Sequence, residues 1–269
     1  MEGNMSKHTN HRDPVKKVSV SQNFLTNRKL LERIVTISNI NKQDTVIEIG
    51  TGKGHLTRTL CRKCRRLYSI EIDKGLYEQA KNTLSGCENL KLICGDFLDY
   101  RLPSGTDYKI FANIPFFITT KIIRKLTETA NPPQDIWIIV EKGAAKRFMG
   151  KNRETMPSLF LKPGWNTEIA WHFRRSDFHP MPAVDCVLLH LARKKSPDLN
   201  KKEYREFRHF VEHSMKYGLF GKQSLLTRKQ INTALKREKL PPLTPGGEIL
   251  YIQWLCLFRC YQKMRQVNG

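Results

Sequence analysis

No stretch of about 18 consecutive apolar residues occurs in the chain, so no segment reads as a membrane-spanning helix. The nearest candidate, Ile249–Phe258, is short, is interrupted by Gln253, and is expected to be a buried helix. Met1–Lys17 lacks the apolar block of a secretion signal, and no lipidation motif is present. These absences lead to the expectation of a cytoplasmic protein with no membrane partner, in a compartment that keeps its seven cysteines as thiols. Metal-ligand spacing is missing as well. Cys61 and Cys64 form one C-x-x-C, but no second pair follows at zinc-ribbon spacing, and Cys256 and Cys260 stand four apart on an expected helix. His209 and His213 have helical spacing without the glutamate position of H-E-x-x-H and without an evident third ligand. No metal site is expected. Acidic residues are scarce too, 25 Asp and Glu against 47 Lys and Arg, a net charge of +22. A surface of one sign attracts phosphates and gains affinity by releasing their counterions, so nucleic acid is the leading partner. An anionic membrane surface is the competing target for such charge.

What is present is an alternation. Short β-branched runs (45–49, 67–72, 89–94, 108–112 and 136–140) are separated by helical stretches at 56–66, 76–84 and 119–129. Strand and helix in turn predict a doubly wound α/β core, a parallel sheet covered by helices on both faces. Two later runs, 168–173 and 184–192, would extend that sheet, with antiparallel edge strands as one arrangement. A length of 269 residues suits one main core with an appendage. The boundary is placed near Lys194–Pro197: residues 193–269 hold 17 Lys and Arg against 6 Asp and Glu, on helical patterns. The expected organisation is a basic tail (1–17), a catalytic domain (18–193) and a small basic α-helical domain (194–269). The tail, with His8, His11, Arg12, Lys16 and Lys17, reads as disordered until a polyanion orders it.

Four groups of residues carry chemistry. Glu48-Ile-Gly50-Thr-Gly52-Lys-Gly54 follows a strand and precedes a helix. Its glycines permit a tight turn and close approach of backbone to a ligand. The spacing is G-x-G-x-G, because His55 stands where a dinucleotide fingerprint has its last glycine, and this favours a ligand without a pyrophosphate. Glu71 ends the next strand, where a carboxylate can accept both hydroxyl hydrogens of a ribose. Gly95-Asp96-Phe97 follows the third, where a carboxylate can hold the exocyclic amine of an adenine ring. Singly these are ordinary strand-end residues; at one sheet edge they form a nucleoside pocket that points to S-adenosylmethionine. The fourth group is Asn113-Ile114-Pro115-Phe116. An adenine amine is a poor nucleophile, its lone pair delocalised into the ring. The Asn113 side-chain oxygen and the Ile114 carbonyl could each accept one amine hydrogen and turn the lone pair toward a methyl donor. Pro115 would stiffen the turn, and Phe116 would stack on a base drawn out of its helix. A plain Asn-x-Pro turn is the alternative for the tetrapeptide in isolation.

With these groups in order, the chain resembles the Erm family of ribosomal RNA adenine methyltransferases, relatives of the KsgA/Dim1 group. The resemblance covers nearly everything after the tail and includes Ser21-Gln22-Asn23-Phe24-Leu25, Glu141–Phe148 and Phe178–Asp185. It implies a Rossmann-like class I methyltransferase core that uses S-adenosylmethionine, with cofactor contacts from Asn23, Leu25, Gly50, Gly52, Glu71, Asp96 and Asn113. It implies catalysis by Asn113, Ile114, Pro115 and Phe116, with Phe178–Pro182 lining the target pocket. The implied substrate is an adenine of 23S ribosomal RNA, and the implied role is macrolide, lincosamide and streptogramin B resistance by a monomeric enzyme. Ile114, the following Phe117–Thr120 and Glu141–Phe148 favour this branch over small-subunit dimethyltransferases of KsgA/Dim1 type, which typically carry Leu and Tyr in the tetrapeptide. Phe116 departs from the Tyr of many relatives, which keeps stacking and loses a hydroxyl. A catalytically silent RNA-binding relative is a third reading, and the preference for RNA over DNA rests on the resemblance. The cation-rich Cys61–Arg66 is either a solvated helix face or an RNA contact.

Overall fold

The computed structural model describes residues 23–244 and 246–267; the expectations for the tail and for Ser21 and Gln22 lie outside the described residues. In chain order the elements are β1 (Phe24–Leu25), α1 (Arg28–Ile37), β2 (Thr45–Ile49), α2 (His55–Lys63), β3 (Arg66–Glu71), α3 (Lys74–Thr83), β4 (Leu90–Cys94) and β5 (Lys109–Asn113). A 3₁₀ turn at Phe116–Ile118 leads into α4 (Thr119–Thr127), β6 (Asp135–Glu141), α5 (Lys142–Met149), α6 (Met156–Leu161) and β7 (Trp165–His172). After β8 (Phe178–His179) and β9 (Cys186–Arg193), the elements among the described residues are the helices α7 (Lys201–Tyr217), α8 (Arg228–Arg237) and α9 (Tyr251–Val267).

Seven strands form one sheet in the order β4-β3-β2-β5-β6-β9-β7, and β1 pairs antiparallel with β8 in a separate ribbon. Strand β2 runs parallel to both β3 and β5, β3 to β4, and β5 to β6. The fold is therefore the expected Rossmann-like α/β class with a helical C-terminal region. Parallel strands covered on both faces need apolar side chains on both. This is why β2 buries Val46 to Ile49 and β6 buries Asp135 to Val140 as continuous runs rather than alternating ones. The two later runs are β7 and β9, and both extend the sheet as expected.

Two compact units divide the chain. The first comprises the described residues up to Val140 together with Trp171–Leu188. Its helices begin at built caps: the Asn27 side chain accepts from Leu30 N–H (3.2 Å) and Asp73 from Leu76 N–H (2.9 Å). At the start of β5, Lys109 is buried; its Nζ donates to Asp44 Oδ2 (2.9 Å) and to the Asn39 carbonyl (3.0 Å).

The second unit comprises Glu141–Ala170 and the described residues from Leu189 onward. Asn200 and Thr227 start α7 and α8 with reciprocal capping boxes to Glu203 and Gln230. Its core is aromatic. Phe207 and Phe210 of α7 meet Phe258 of α9 at ring-centroid distances of 5.3 and 5.9 Å, and Trp254 lies 6.2 Å from Phe210. The stretch Ile249–Phe258, expected as a buried helix, is met in part: α9 begins at Tyr251, Trp254 to Phe258 are buried, and Leu250 and Ile252 are exposed. With apolar residues turned inward, Lys201, Lys202 and Arg205 are left exposed on α7. Among the described residues, no helix is long and apolar enough to cross a membrane.

Candidate active site

Chain order reverses between β2 and β5. In open α/β sheets that switch point leaves a crevice beyond the carboxyl ends of the strands. A cavity of about 330 Å³ opens there, within the usual range for small-molecule sites of roughly 300–1,000 Å³. Its lining includes all ten residues expected from the sequence: Asn23, Leu25, Gly50, Gly52, Glu71, Asp96, Asn113, Ile114, Pro115 and Phe116. Phe178 lines it as well.

The turn after β2 is bare where other backbone and ring atoms press on it. Gly50 has φ +84°, and a Cβ there would stand 3.2 Å from the Asn113 carbonyl oxygen. Gly52 has φ +54°, and a Cβ there would meet the Phe24 ring at 2.8 Å. Both positions thus need glycine for conformation and for space.

Glu71 ties this turn to the end of β3. Its Oε2 accepts from Gly52 N–H (2.8 Å) and its Oε1 from Asp73 N–H (2.9 Å). The side chain is buried; desolvation raises its pKa, and backbone donors at Asp73, Gly52 and Ile72 pull it back. Two carboxylate oxygens offer about four acceptor sites, so acceptor capacity remains for hydroxyl groups of a ligand. Asp96 is exposed at the cavity, one oxygen holding Leu98 N–H (2.7 Å) and the other available.

Asn113 ends β5 with its orientation fixed: Nδ2 donates to the Asn23 carbonyl (3.1 Å). The amide oxygen is left as the group that can accept a hydrogen. The Asn23 segment is held in place because β1 pairs with β8, Leu25 opposite Phe178 and Phe24 opposite His179. Residues some 150 positions apart in sequence therefore meet at one cavity. Beyond Asn113, the 3₁₀ turn closes with Ile118 N–H on the Pro115 carbonyl (3.2 Å), and Phe116 is half-buried in the lining.

Beneath the glycine turn lies a polar chain. Ser69 donates to Glu48 Oε2 (2.6 Å), and Thr51 and Ser69 share a 2.6 Å hydrogen bond. Glu48 is fully buried, its Oε1 has no hydrogen-bond partner among the described residues, and burial pushes its pKa up to about 8. The group is thus a neutral acid at pH 7, supporting the turn from below rather than facing the cavity.

The sequence profile of the ribosomal RNA adenine dimethylase family matches residues 15–259. The chain belongs to this family. Curated relatives include an rRNA adenine N-6-methyltransferase of Lysinibacillus sphaericus, 34% identical over 242 residues that cover 90% of this chain and 95% of the relative. Another, of Staphylococcus aureus, is 36% identical over 242 residues, 90% and 96% of the two chains. The crystal structure of the 23S rRNA methyltransferase ErmE superposes with a TM-score of 0.78 at 27% identity, covering 89% of this chain and all of that one. A dimethyladenosine transferase from Plasmodium falciparum shares the fold, with a TM-score of 0.67 at 23% identity over 87% and 86% of the chains. The protein is a methyltransferase of this dimethylase family.

Several cavity residues of this family member stand in the sequence motifs but carry no role that the sequence alone assigns. Phe24 packs on Gly52 and lies under Lys53, whose Nζ is 5.2 Å from the ring centroid. Phe97 is buried, with Lys125 Nζ 5.3 Å from its ring. Lys125 donates to the Leu98 and Tyr100 carbonyls and so clamps the loop that carries Asp96; burial lowers its pKa. Nothing in the sequence signals this clamp, because it joins α4 to the loop after β4. Phe117, read in the sequence only as part of Phe117–Thr120, lines the cavity and is 51% exposed. Among the described residues, the seven cysteines form no disulfide, and no cluster of three His, Cys, Asp or Glu is placed to hold a metal.

Proposed function

We propose that the protein transfers methyl groups from S-adenosylmethionine to the exocyclic N6 amine of an adenine in 23S ribosomal RNA, once or twice per adenine. The curated relatives named as rRNA adenine N-6-methyltransferases, and the full-length likeness to a 23S rRNA methyltransferase, support this substrate. Resistance to macrolide, lincosamide and streptogramin B antibiotics is the role proposed, in the cytoplasm, with the enzyme acting as a monomer. Residues 18–193 would hold cofactor and target base, and the basic helices of 194–269, with a net charge of +11 over 193–269, would grip RNA.

The donor suits the cavity. The bare backbone at Gly50 and Gly52 leaves a cradle that a Cβ would fill, and Glu71 keeps acceptor capacity for ribose hydroxyls. Asp96 has an oxygen for the adenine amine of the cofactor, and Asn23 and Leu25 complete the lining. When bound, the cofactor supplies a sulfonium methyl that is already activated, so the chain's work is positioning.

One observation carries the mechanism: the Asn113 amide is anchored through its nitrogen and presents its oxygen. That oxygen and the Ile114 carbonyl would each accept one hydrogen of the target amine. Both bonds draw the nitrogen toward tetrahedral geometry and localise its lone pair. Phe116 would stack on the flipped base, and Pro115, with φ −56°, fixes the turn between them. Catalysis of this kind works by orientation and by polar groups set before the reaction. The proton released by the amine leaves after methyl transfer and needs no dedicated base.

Asn113→Ala tests the assignment. It should lower kcat by about 10²-fold or more, on the scale of losing one preorganised hydrogen-bonding group, while the thermal unfolding temperature stays near wild type. A variant that turns over normally would remove Asn113 from the mechanism.

A further inference from the structure

At the opposite end of the sheet from the cavity, the amino ends of β3 and β4 carry two adjoining depressions of about 750 and 390 Å³ that share Arg65, Glu88 and Asn89. Their rims bear Lys42, Arg58, Arg62, Arg65, Arg66 and Lys91, against the single acid Glu88. The floor is built rather than incidental. Asn89 Nδ2 donates to the carbonyls of Cys61 and Cys64 (3.0 Å each), and Arg58 is fixed by a 2.6 Å bond to the Thr83 carbonyl. A helix dipole, and Glu32 at 3.8 Å from Arg62, account for the cations in the last turn of α2. They do not account for Lys42, Arg65, Arg66 and Lys91, which stand outside that helix and form no ion pair among the described residues.

We infer that this track is a second RNA-binding surface, one that holds backbone phosphates away from the nucleotide being methylated. The inference rests on RNA being the substrate. A concave path with cations along its rim suits a ribose-phosphate strand. A lipid surface would call for apolar side chains to insert, and none of the large exposed apolar side chains lies in the track. Strand β3 runs from Arg66 in the track to Glu71 in the cavity, five residue steps or roughly 16 Å. An RNA must therefore extend well beyond the target nucleotide to fill both. A short hairpin around the modified adenine would fill only the cavity.

The test uses the full chain and its R62Q/R65Q/R66Q variant, all three exposed positions. Binding to protein-free 23S RNA is measured against salt, and methyl transfer is measured on that RNA and on the short hairpin. The expected result is at least tenfold weaker binding to the long RNA and a salt slope shallower by about 2–3, the release of about one counterion per lost contact. KM for the long RNA should rise, while kcat and all values for the hairpin stay at wild type. Long-RNA affinity and salt slope equal to wild type would overturn the inference. So would a variant that keeps RNA affinity and loses binding to phosphatidylserine vesicles, which would make the track a membrane contact. Absence of transfer by the wild-type protein to any ribosomal RNA would instead refute the substrate reading.

Discussion

Glu48 offers a quantitative test of the architecture under the glycine turn. Its carboxyl holds a proton up to about pH 8 in the folded chain, against an ordinary value of 4.5, because it is fully buried. Between those values the unfolded chain has released the proton and the folded chain has not. The folded state therefore binds more protons, and stability falls as pH rises. This contribution is intact below about pH 4.5, is lost progressively through pH 8, and is level above it. At 1.36 kcal/mol per pH unit, keeping the proton at pH 7 costs about 3 kcal/mol. Glu48→Gln is neutral at every pH and can still accept from Ser69. It should stabilise the protein at pH 7 by up to about 3 kcal/mol, at roughly 2–4 °C per kcal/mol for a chain of this size. Other groups are shifted as well: burial raises the pKa of Glu71, and it lowers that of His55, with help from Lys53 and Arg58. The informative quantity is thus the difference between wild type and variant in thermal scans from pH 5 to 9. That difference should grow from pH 5 to 8 and then flatten. Parallel curves would refute the claim that Glu48 is a protonated acid.

Gly52→Ala should weaken S-adenosylmethionine binding at least tenfold and cost about 1–3 kcal/mol of stability, since it adds a Cβ at positive φ against the Phe24 ring; calorimetry showing wild-type affinity would count against the cradle. Lys109→Met leaves Asp44 part-buried without its partner, and urea unfolding should register a loss of about 3 kcal/mol; an unchanged midpoint would show that the pair is dispensable. Phe116→Ala should lower kcat/KM for RNA by the worth of one stacked base, about 1–3 kcal/mol or roughly 5- to 150-fold. Phe116→Tyr should stay close to wild type, and equal losses for both would argue against stacking.

How far the sequence could be read depended on the range of the interactions. The parallel strands were readable because burial on both faces forces unbroken β-branched runs such as 45–49 and 136–140. Most of the cavity was readable because Gly50–Gly54, Glu71, Asp96 and Asn113–Phe116 sit at or just after the carboxyl ends of strands, where the fold class places ligands. Element ends were read less well. The stretch 56–66 reads as one helix, yet Cys64 is extended (φ −102°, ψ 168°) and Arg66 opens β3 opposite Thr45. Arg and Lys favour helix locally, and only the partner strand shows where the helix must stop. β7 likewise begins at Trp165, three residues before the expected run, because Asn166 and Thr167 blur the pattern. The β1–β8 ribbon, the Asn113–Asn23 bond and the Lys125 clamp join segments distant in sequence, and no local spacing announces them.

The most direct test of the central claim is transfer of radiolabelled methyl from S-adenosylmethionine to protein-free 23S and 16S RNA, with the modified nucleotide mapped by primer extension. The account predicts label on 23S RNA alone, at a single adenine in the loop that binds macrolides, and none with Asn113→Ala. Label confined to 16S RNA would contradict it and make the protein a small-subunit dimethyltransferase. Label on neither would leave a silent RNA-binding member of the family.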